Sequence, residues 1–272
     1  MSGPPPVATP TELPEGWDHL RRHTPARIAL GRSGVSLPTR AVLDFGMAHA
    51  LARDAIHLPL DVERLHAELQ ALGCGEPLQL HSQARDRSEY LLRPDLGRRL
   101  DAPSVSLLDQ YRNHPVPDLV LVLGDGLSAM GIQQHSVALV RAIMETLDAS
   151  WQLGPLVLVR QARVAVADEV GERLGAAMVA MIVGERPGLS SPDSVGIYLT
   201  CAPRVGCSDA QRNCISNVRP SGQSVLTAAR RLAWLAGEAR RLGLTGVGLK
   251  DHSALPLTGL PANLSVDVKA LT

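Results

Sequence analysis

The residues best suited to chemistry in this chain are gathered in one polar segment, residues 184–220. The segment follows an aliphatic run at residues 176–183 that predicts a buried strand, so Glu185 and Arg186 stand where that strand should end. In open α/β sheets, ligands bind beyond the carboxyl ends of the strands, and long polar connections in compact domains are commonly functional. Residues 184–220 are therefore the candidate site.

Glu185 is the most informative side chain in that segment, because it lies between a predicted buried strand and a Pro-Gly turn. A carboxylate in such a place must be solvated, paired with Arg186 or hydrogen-bonded by a ligand, since an uncompensated buried charge is unfavourable. Pairing and ligand binding are both compatible with the sequence, and the choice between them stays open at this point.

Three cysteines of the segment, Cys201, Cys207 and Cys214, do not form a metal-binding motif. Zinc sites typically use a CxxC pair or nearby histidines, and neither is present. Nucleophilic catalysis by a cysteine needs an oriented histidine, which His135 or His252 would supply only if the fold brought it close. Packing as small apolar side chains is the better interpretation for Cys201 and Cys207.

A second candidate is the turn at residues 124–128, Gly-Asp-Gly-Leu-Ser, between a predicted strand and a predicted helix. Free amides at a helix start can bind an anion, but the pattern is neither GxGxxG nor a P-loop. The alternative is an ordinary turn in which Asp125 or Ser128 caps the helix. Capping is favoured for Ser128, and a position facing a ligand is favoured for Asp125.

Alternating aliphatic and amphipathic stretches predict an α/β fold for the second part of the chain. Strands are expected at residues 118–123, 156–159, 176–183 and 195–201. Helices are expected between residue 128 and about residue 147, at residues 168–174 and at residues 223–242. Such alternation implies a mostly parallel, Rossmann-like sheet flanked by helices.

The first part of the chain predicts a smaller and mainly helical N-terminal domain. Residues 1–16 are rich in proline and small residues and predict a disordered tail, while residues 17–100 form the small domain with an arm, and residues 101–272 form the α/β domain. Helices are expected at residues 39–54 and 61–72, capped by Thr39 and Asp61, and strands at residues 77–82 and 88–92.

Charge and composition exclude several classes of partner. Lys+Arg and Asp+Glu both number 27, so no net field attracts nucleic acid or an acidic membrane surface. No apolar stretch approaches the roughly 18 residues that a transmembrane helix needs. Four cysteines are too few for a disulfide scaffold in a chain of 272 residues and fit a reducing cytosol.

Several motifs together resemble the small subunit of ethanolamine ammonia-lyase, in matching order over residues 20–251. They are RPDLGRR (93–99), the DGLS turn (125–128), QARVAVADEVGERLGA (161–176), VGERPGLSSPDS (183–194), RNCISNVRPSG (212–222) and GVGLKD (246–251). The pair VGERPGL and RNCISN is the most distinctive part of the match.

The resemblance implies an adenosylcobalamin-dependent lyase that converts ethanolamine to acetaldehyde and ammonia by radical elimination. It implies that a large subunit, a TIM barrel, carries the substrate site, and that the two subunits form a hetero-oligomer in equal numbers. The small subunit would cover the cobalamin at the interface, would contribute no catalytic residue and would be inactive alone.

The resemblance also assigns residues. Val164 in QARV, Glu185 in GERPG and Cys214 in RNCIS are the positions that contact cobalamin in this family. The chain has no Asp-x-His-x-x-Gly motif, so the cofactor is expected to keep its own benzimidazole base on cobalt, without an axial histidine from the protein. The roles of Asp125, Arg186 and Asn217 are left open.

The expected location is the cytoplasm, with a bacterial microcompartment as the alternative. Relatives in ethanolamine microcompartments tend to begin with an amphipathic targeting helix. The start of this sequence is proline-rich and shows no such helix, which favours free cytoplasm.

Overall fold

A computed structural model describes residues 16–73, 75–111 and 115–253 of the chain. The disordered tail predicted at residues 1–16 lies outside these ranges except for Gly16, which begins the first helix.

The described residues form a six-stranded sheet in the order β1-β3-β2-β4-β5-β6. Its strands are β1 (Leu78–His81), β2 (Leu119–Gly124), β3 (Val157–Arg160), β4 (Met178–Gly184), β5 (Val195–Cys201) and β6 (Arg212–Val218). The pairings β1–β3, β3–β2 and β2–β4 are parallel, whereas β4–β5 and β5–β6 are antiparallel. The predicted α/β class is confirmed, with a mixed sheet in which parallel pairings are the majority.

Helices lie before, between and after these strands. They are α1 (Gly16–Arg21), α2 (Thr39–His57), α3 (Val62–Gln70), α4 (Arg87–Leu92), α5 (Ala102–Asp109), α6 (Ala129–Thr146), α7 (Val166–Arg173) and α8 (Val225–Leu242). None of these described helices combines the length and the apolar character needed to cross a bilayer.

The two faces of the sheet carry separate apolar layers. One face packs on α6 and α8 through residues such as Leu121, Ile182 and Leu232, and the other packs on α5 and α7 through residues such as Val122 and Val166. β2 and β4 are buried along their whole length because both of their faces are covered. This explains their unbroken aliphatic sequences.

Local sequence signals account for several helix ends. Asp61 caps α3 by accepting a hydrogen bond from the Arg64 amide at 3.1 Å, as predicted. Ser224 caps α8 in the same way, and Gly243 ends that helix in the left-handed conformation that favours glycine. The predicted cap at Thr39 was wrong, because α2 starts after Pro38 without a side-chain cap.

Two sequence predictions of strands need correction. Residues 88–92 were predicted as a strand but form α4 (Arg87–Leu92), which Asp86 caps by accepting from the Glu89 amide at 2.9 Å. Residues 184–220 are not one irregular connection, since they contain β5, which was predicted, and β6, which was not.

β1 precedes residue 100 and pairs with β3, so the sheet takes one strand from the segment assigned to the small domain. The division near residue 100 stays a prediction.

Candidate functional site

A pocket of about 420 Å³ opens at the carboxyl ends of β2, β3 and β4. It is lined by Tyr90, Gly126, Leu127, Ala162, Arg163, Val164, Val183, Gly184, Glu185, Arg186 and Tyr198. Two of the three residues assigned by resemblance, Val164 and Glu185, therefore lie in one pocket, at the edge of the sheet where ligands of α/β proteins bind.

Val164 lies in the connection from β3 to α7. The Arg163 amide before it donates to the Gly97 carbonyl at 2.7 Å, and the Ala167 amide after it donates to the Val164 carbonyl at 3.2 Å. The Val164 side chain is half-buried against the apolar layer that contains α7. The connection is therefore held on both sides, and Val164 has one fixed place on the pocket wall.

Asp125 fixes the same connection from β2. Its carboxylate accepts the amide of Gln161 at 3.0 Å and the amide of Ala162 at 2.9 Å, and Arg87 Nη1 lies 3.9 Å from Oδ2. Burial raises the pKa of Asp125, and the backbone hydrogen bonds together with Arg87 oppose that effect. Asp125 is fully buried and holds backbone, so the predicted position facing a ligand was wrong.

Tyr90 forms the floor of the pocket and is stacked between two arginines. The Arg87 and Arg163 guanidinium carbons lie 4.7 and 4.2 Å from the ring centroid, and the Tyr90 hydroxyl donates to the Ala162 carbonyl at 3.1 Å. Desolvation by burial raises the pKa of Tyr90 well above its usual range, so the phenol stays neutral. Arg163 and Tyr90 were both missed from the sequence, although Arg163 lies within a motif that carried the resemblance.

Glu185 reaches across β5 to the end of β6. Its two carboxylate oxygens accept the Asn217 amide at 3.3 and 3.2 Å, and none of the described ion pairs joins it to Arg186. A Cβ placed on Gly196 would lie 3.0 Å from Glu185 Oε1, so glycine at this position leaves room for the carboxylate. Pairing with Arg186 was one of the two alternatives for Glu185, and the structure does not show that pair.

Asn217 presents its amide to Glu185 because its backbone is left-handed, with φ of +57°. Asparagine tolerates this conformation better than most residues. Asn217 Oδ1 accepts from Arg219 Nε at 2.7 Å, and the Asn217 carbonyl accepts the Gln223 amide at 2.9 Å. Asn217 is thus a backbone partner of Glu185 near the end of β6.

Cys214 lies on β6, directly opposite Tyr198 of β5. It does not line the pocket itself, but its cross-strand neighbour Tyr198 does. Partial desolvation raises the pKa of the Cys214 thiol although the residue is exposed, so the group is a neutral thiol at physiological pH. The structure therefore places Cys214 outside the pocket, next to one of the residues that line it.

The remaining cysteine interpretations can be compared with the contacts. Cys201 packs against the apolar layer that contains α8, which agrees with its predicted packing role. His135 lies 3.3 Å from Asp193, and His252 packs edge-on against Trp234. Neither described histidine contact involves a cysteine, so the oriented base that a cysteine nucleophile needs is not assembled by these residues.

The turn at residues 124–128 is closed rather than open to an anion. Ser128 is buried and donates to the Pro192 carbonyl at 2.7 Å, so the predicted capping role for Ser128 was wrong. The segment around Asp193 lies against the first turn of α6, since a Cβ on Gly131 would lie 2.7 Å from the Asp193 carbonyl oxygen. The first turn of α6 is therefore covered by the segment around Asp193.

Three buried polar atoms around the pocket have no hydrogen-bond partner among the described residues. They are Arg87 Nη2, Gln161 Oε1 and Arg163 Nε. Gln161 is also held in the left-handed region, with φ of +54°. Buried polar atoms are nearly always satisfied, and strained backbone clusters at binding sites, so both features are typical of a ligand site.

Comparison with known proteins shows which family this chain belongs to. The family profile described as ethanolamine ammonia-lyase light chain matches residues 14–250. The chain belongs to the ethanolamine ammonia-lyase light chain family. Val164, Glu185 and Cys214 all fall within the matched residues, as do the side chains that surround them.

Individual relatives of this family match over nearly their whole length. The chain is 57% identical to the ethanolamine ammonia-lyase small subunit of Ralstonia nicotianae, over 92% of this chain and 93% of that one. It is 52% identical to the protein of the same name from Pseudomonas fluorescens strain Pf0-1, over 96% and 95%. It is 55% identical to that of Azotobacter vinelandii, over 89% and 90%. The resemblance seen in the sequence is thereby confirmed.

Proposed function

We propose that this chain is the small subunit of an adenosylcobalamin-dependent ethanolamine ammonia-lyase, and that its pocket holds one side of the cofactor. The complete enzyme converts ethanolamine to acetaldehyde and ammonia. The observation that carries the proposal is that Val164 and Glu185, which follow different strands, line one pocket in a member of this family. Cys214 lies opposite Tyr198, which lines the same pocket.

The residues present fit a corrinoid. The edge of a corrin carries neutral amide arms, whose N–H groups suit a carboxylate acceptor. Glu185 has spare acceptor capacity, because its only described hydrogen bonds are two long ones to a single amide. Val164, Leu127 and Val183 supply apolar wall, and Arg163, which also lines the pocket, has an Nε without a partner among the described residues.

The role proposed for this chain is to orient and cover the cofactor, without taking part in the chemical reaction itself. When bound, adenosylcobalamin supplies the carbon-centred radical that starts the elimination. Glu185 would fix the position of the amide arms, and Val164 would exclude water from the side of the cofactor that this chain covers. Such exclusion protects a reactive centre from quenching by solvent.

The cofactor is proposed to keep its own benzimidazole base on cobalt. The described residues that line the pocket include no histidine, and the sequence lacks the Asp-x-His-x-x-Gly motif. Electron spin resonance of the reduced cofactor in the complex tests this point. Coupling to a benzimidazole nitrogen is expected, and coupling to a histidine nitrogen would contradict it.

A large subunit with a TIM-barrel fold is the proposed partner, in equal numbers with this chain. An exposed apolar stretch of α2 supports a protein partner. Leu43 and Met47 of α2 are 67% and 65% exposed. Exposed apolar side chains grouped on one helix are typical of an interaction surface. The proposed location is the cytoplasm.

Reconstitution tests the proposal directly. The cognate large subunit, adenosylcobalamin and ethanolamine are combined with and without this chain, and acetaldehyde formation is measured. Turnover is expected only when both chains are present, together with co-purification of the two. Equal turnover without this chain would show that it is an assembly or cofactor-carrying module instead of an enzyme subunit.

A further inference from the structure

Arg219 joins the two chain segments that meet at Glu185. It follows β6 directly, and its side chain is only 12% exposed. Its Nε donates to Asn217 Oδ1 at 2.7 Å, and its Nη1 donates to the Ser190 carbonyl at 2.9 Å. One guanidinium therefore links the end of β6 to the connection from β4 to β5, which begins with Glu185.

The connection that carries Glu185 is held at its ends and in its middle. The Glu185 amide donates to the Ser194 carbonyl at 3.0 Å, which closes the two ends. Arg219 reaches the middle, where it bonds the Ser190 carbonyl and places Nη1 3.8 Å from Asp193 Oδ1. Arg219 therefore restricts the segment from which the Glu185 side chain extends.

Arg219 also acts on the hydrogen-bond partner of Glu185. The Glu185 carboxylate accepts the Asn217 amide, whose direction is set by the left-handed backbone of Asn217, with φ of +57°. Even asparagine adopts this conformation at some cost, and surrounding contacts must maintain it. The hydrogen bond from Arg219 to the Asn217 side chain is one of these contacts.

Gly222 packs directly against Asn217. A Cβ on Gly222 would lie 2.3 Å from the Asn217 carbonyl oxygen and 2.7 Å from Asn217 Nδ2. The Gly222 amide donates to the Arg219 carbonyl at 3.0 Å, and the Gln223 amide donates to the Asn217 carbonyl at 2.9 Å. Asn217 is therefore held through its backbone and its side chain together, and the amide that it offers to Glu185 has one fixed direction.

We propose that Arg219 is a positioning residue of the cofactor site, which sets the direction of the Glu185 carboxylate through Asn217. Arg219 is not among the described residues that line the pocket, so its effect on a ligand there passes through its neighbours. The inference rests on the proposed function, because Glu185 is the group proposed to accept the amide arms of the corrin. It follows that Arg219 matters for cofactor binding only while Glu185 is present.

A double-mutant cycle tests this dependence. Arg219→Met, Glu185→Ala and the double variant are each assembled with the large subunit, and the affinity for adenosylcobalamin is measured by equilibrium dialysis. Arg219→Met alone is expected to weaken binding about 5- to 20-fold. In the Glu185→Ala background, the same substitution is expected to change the affinity by less than about twofold, whereas a general loss of structure would weaken binding in both backgrounds.

Hydrogen exchange of the Asn217 amide gives a readout that needs no cofactor. It is measured by NMR on the full chain without ligand, and Arg219→Met is expected to speed this exchange at least about tenfold. Gly222→Ala reaches Asn217 from its own side while Arg219 stays intact. It is expected to speed the same exchange and to weaken adenosylcobalamin binding in the same way.

Two further variants make the test specific. Arg219→Lys keeps the charge but not the geometry that reaches two acceptors at once, so it is expected to recover part of the lost affinity. Arg240→Met is the matched control, because it removes an arginine that pairs with Asp118 at 2.7 Å, just before the amino end of β2. It should change neither the affinity nor the exchange.

The possible failures are distinguishable. If Arg219→Met weakens binding equally with and without Glu185, or does not weaken it, the positioning role is wrong while the proposed function stands. Unchanged exchange of the Asn217 amide would overturn the positioning role in the same way. If the unaltered complex does not bind adenosylcobalamin, the proposed function fails and this inference fails with it.

Discussion

Asp125 holds the backbone of Ala162, with 2.9 Å between carboxylate Oδ1 and the amide nitrogen. The same carboxylate accepts the neighbouring Gln161 amide, which has a left-handed backbone. β2 and β3 are adjacent, so a side chain at the end of one strand reaches the connection that follows the other. The position of Val164, two residues after Ala162, therefore depends on a carboxylate that does not touch the pocket.

Asp125→Asn tests this dependence. An asparagine can accept from only one of the two amides, and its NH₂ group faces the other. The free energy of unfolding of the full chain is expected to fall by about 1–3 kcal/mol, measured by urea denaturation. Asp44→Asn, on the exposed surface of α2, is the matched control and should change stability by less than about 0.5 kcal/mol. Equally small effects of the two substitutions would show that the hydrogen bonds of Asp125 to the Gln161 and Ala162 amides contribute little to stability.

The sequence predicts those strands of this fold that are buried along their whole length. β2 and β4 were found because strands covered on both faces have continuous aliphatic sequences. β6 was missed because it is an edge strand whose buried residues are three positions apart, with polar residues such as Asn213 and Ser216 between them. α4 was taken for a strand because a six-residue helix is too short to show its period, although Asp86 gave a capping signal.

The site was predictable only in part, for a related reason. Glu185 could be placed at a strand end from the sequence, because the preceding strand is unmistakable. The contact of Asp125 with Ala162 follows from strand order, which a single sequence does not reveal. The position of Arg163 likewise depends on Tyr90 and Gly97, which are distant in sequence and contact Arg163 only in the folded chain.

Gly184→Ala is expected to disturb the junction of β4 with the turn after β2. A Cβ on Gly184 would lie 2.0 Å from the Ser128 carbonyl oxygen and 2.6 Å from that of Asp125, and backbone atoms cannot move aside cheaply. A loss of about 2–3 kcal/mol in unfolding free energy is expected by urea denaturation. The control is Gly237→Ala in α8, where nothing lies within 4 Å and a gain of about 0.5–1 kcal/mol is expected.

Glu169→Gln should reveal a pH-dependent contribution to stability. Burial pushes the pKa of Glu169 upward, but hydrogen bonds from Arg99 and the Leu100 amide outweigh it and hold the pKa below its usual value. A lowered carboxyl pKa stabilises the fold above the unfolded value of about 4.3, and that contribution is lost as pH falls through the folded value.

The expected loss for Glu169→Gln is therefore about 2–4 kcal/mol at pH 7 and clearly smaller near pH 3.5, by urea denaturation at both values. Glu68→Gln, at an exposed pair with Arg64 on α3, should cost no more than about 0.5 kcal/mol at either pH. A loss that is independent of pH would mean that Glu169 acts by packing and not by charge.

Assembly with the large subunit should depend on the exposed stripe of α2. Leu43, Met47 and Leu51 follow one another at four-residue intervals and share one face of the helix. Placing aspartate at both Leu43 and Met47 is expected to weaken co-purification with the large subunit at least about tenfold. Leu226→Asp, at an exposed leucine of α8, is the control. Unchanged assembly would place the partner on another face.

Glu185→Ala tests the proposed cofactor site most directly. The carboxylate is partly buried and has only the Asn217 amide as a described hydrogen-bond partner, so its remaining acceptor sites suit the amide arms of a corrin. Its removal is expected to weaken adenosylcobalamin binding to the assembled complex by about 1.5–3 kcal/mol, measured by equilibrium dialysis.

Two variants make the Glu185 result interpretable. Glu185→Gln keeps one acceptor oxygen without the charge, so its affinity should fall between those of the unaltered chain and Glu185→Ala. Glu63→Ala removes an exposed carboxylate from α3 and should leave cofactor affinity unchanged. If Glu185→Ala binds the cofactor as tightly as the unaltered chain, Glu185 serves only to hold the backbone of Asn217, and the cofactor must be held by other residues.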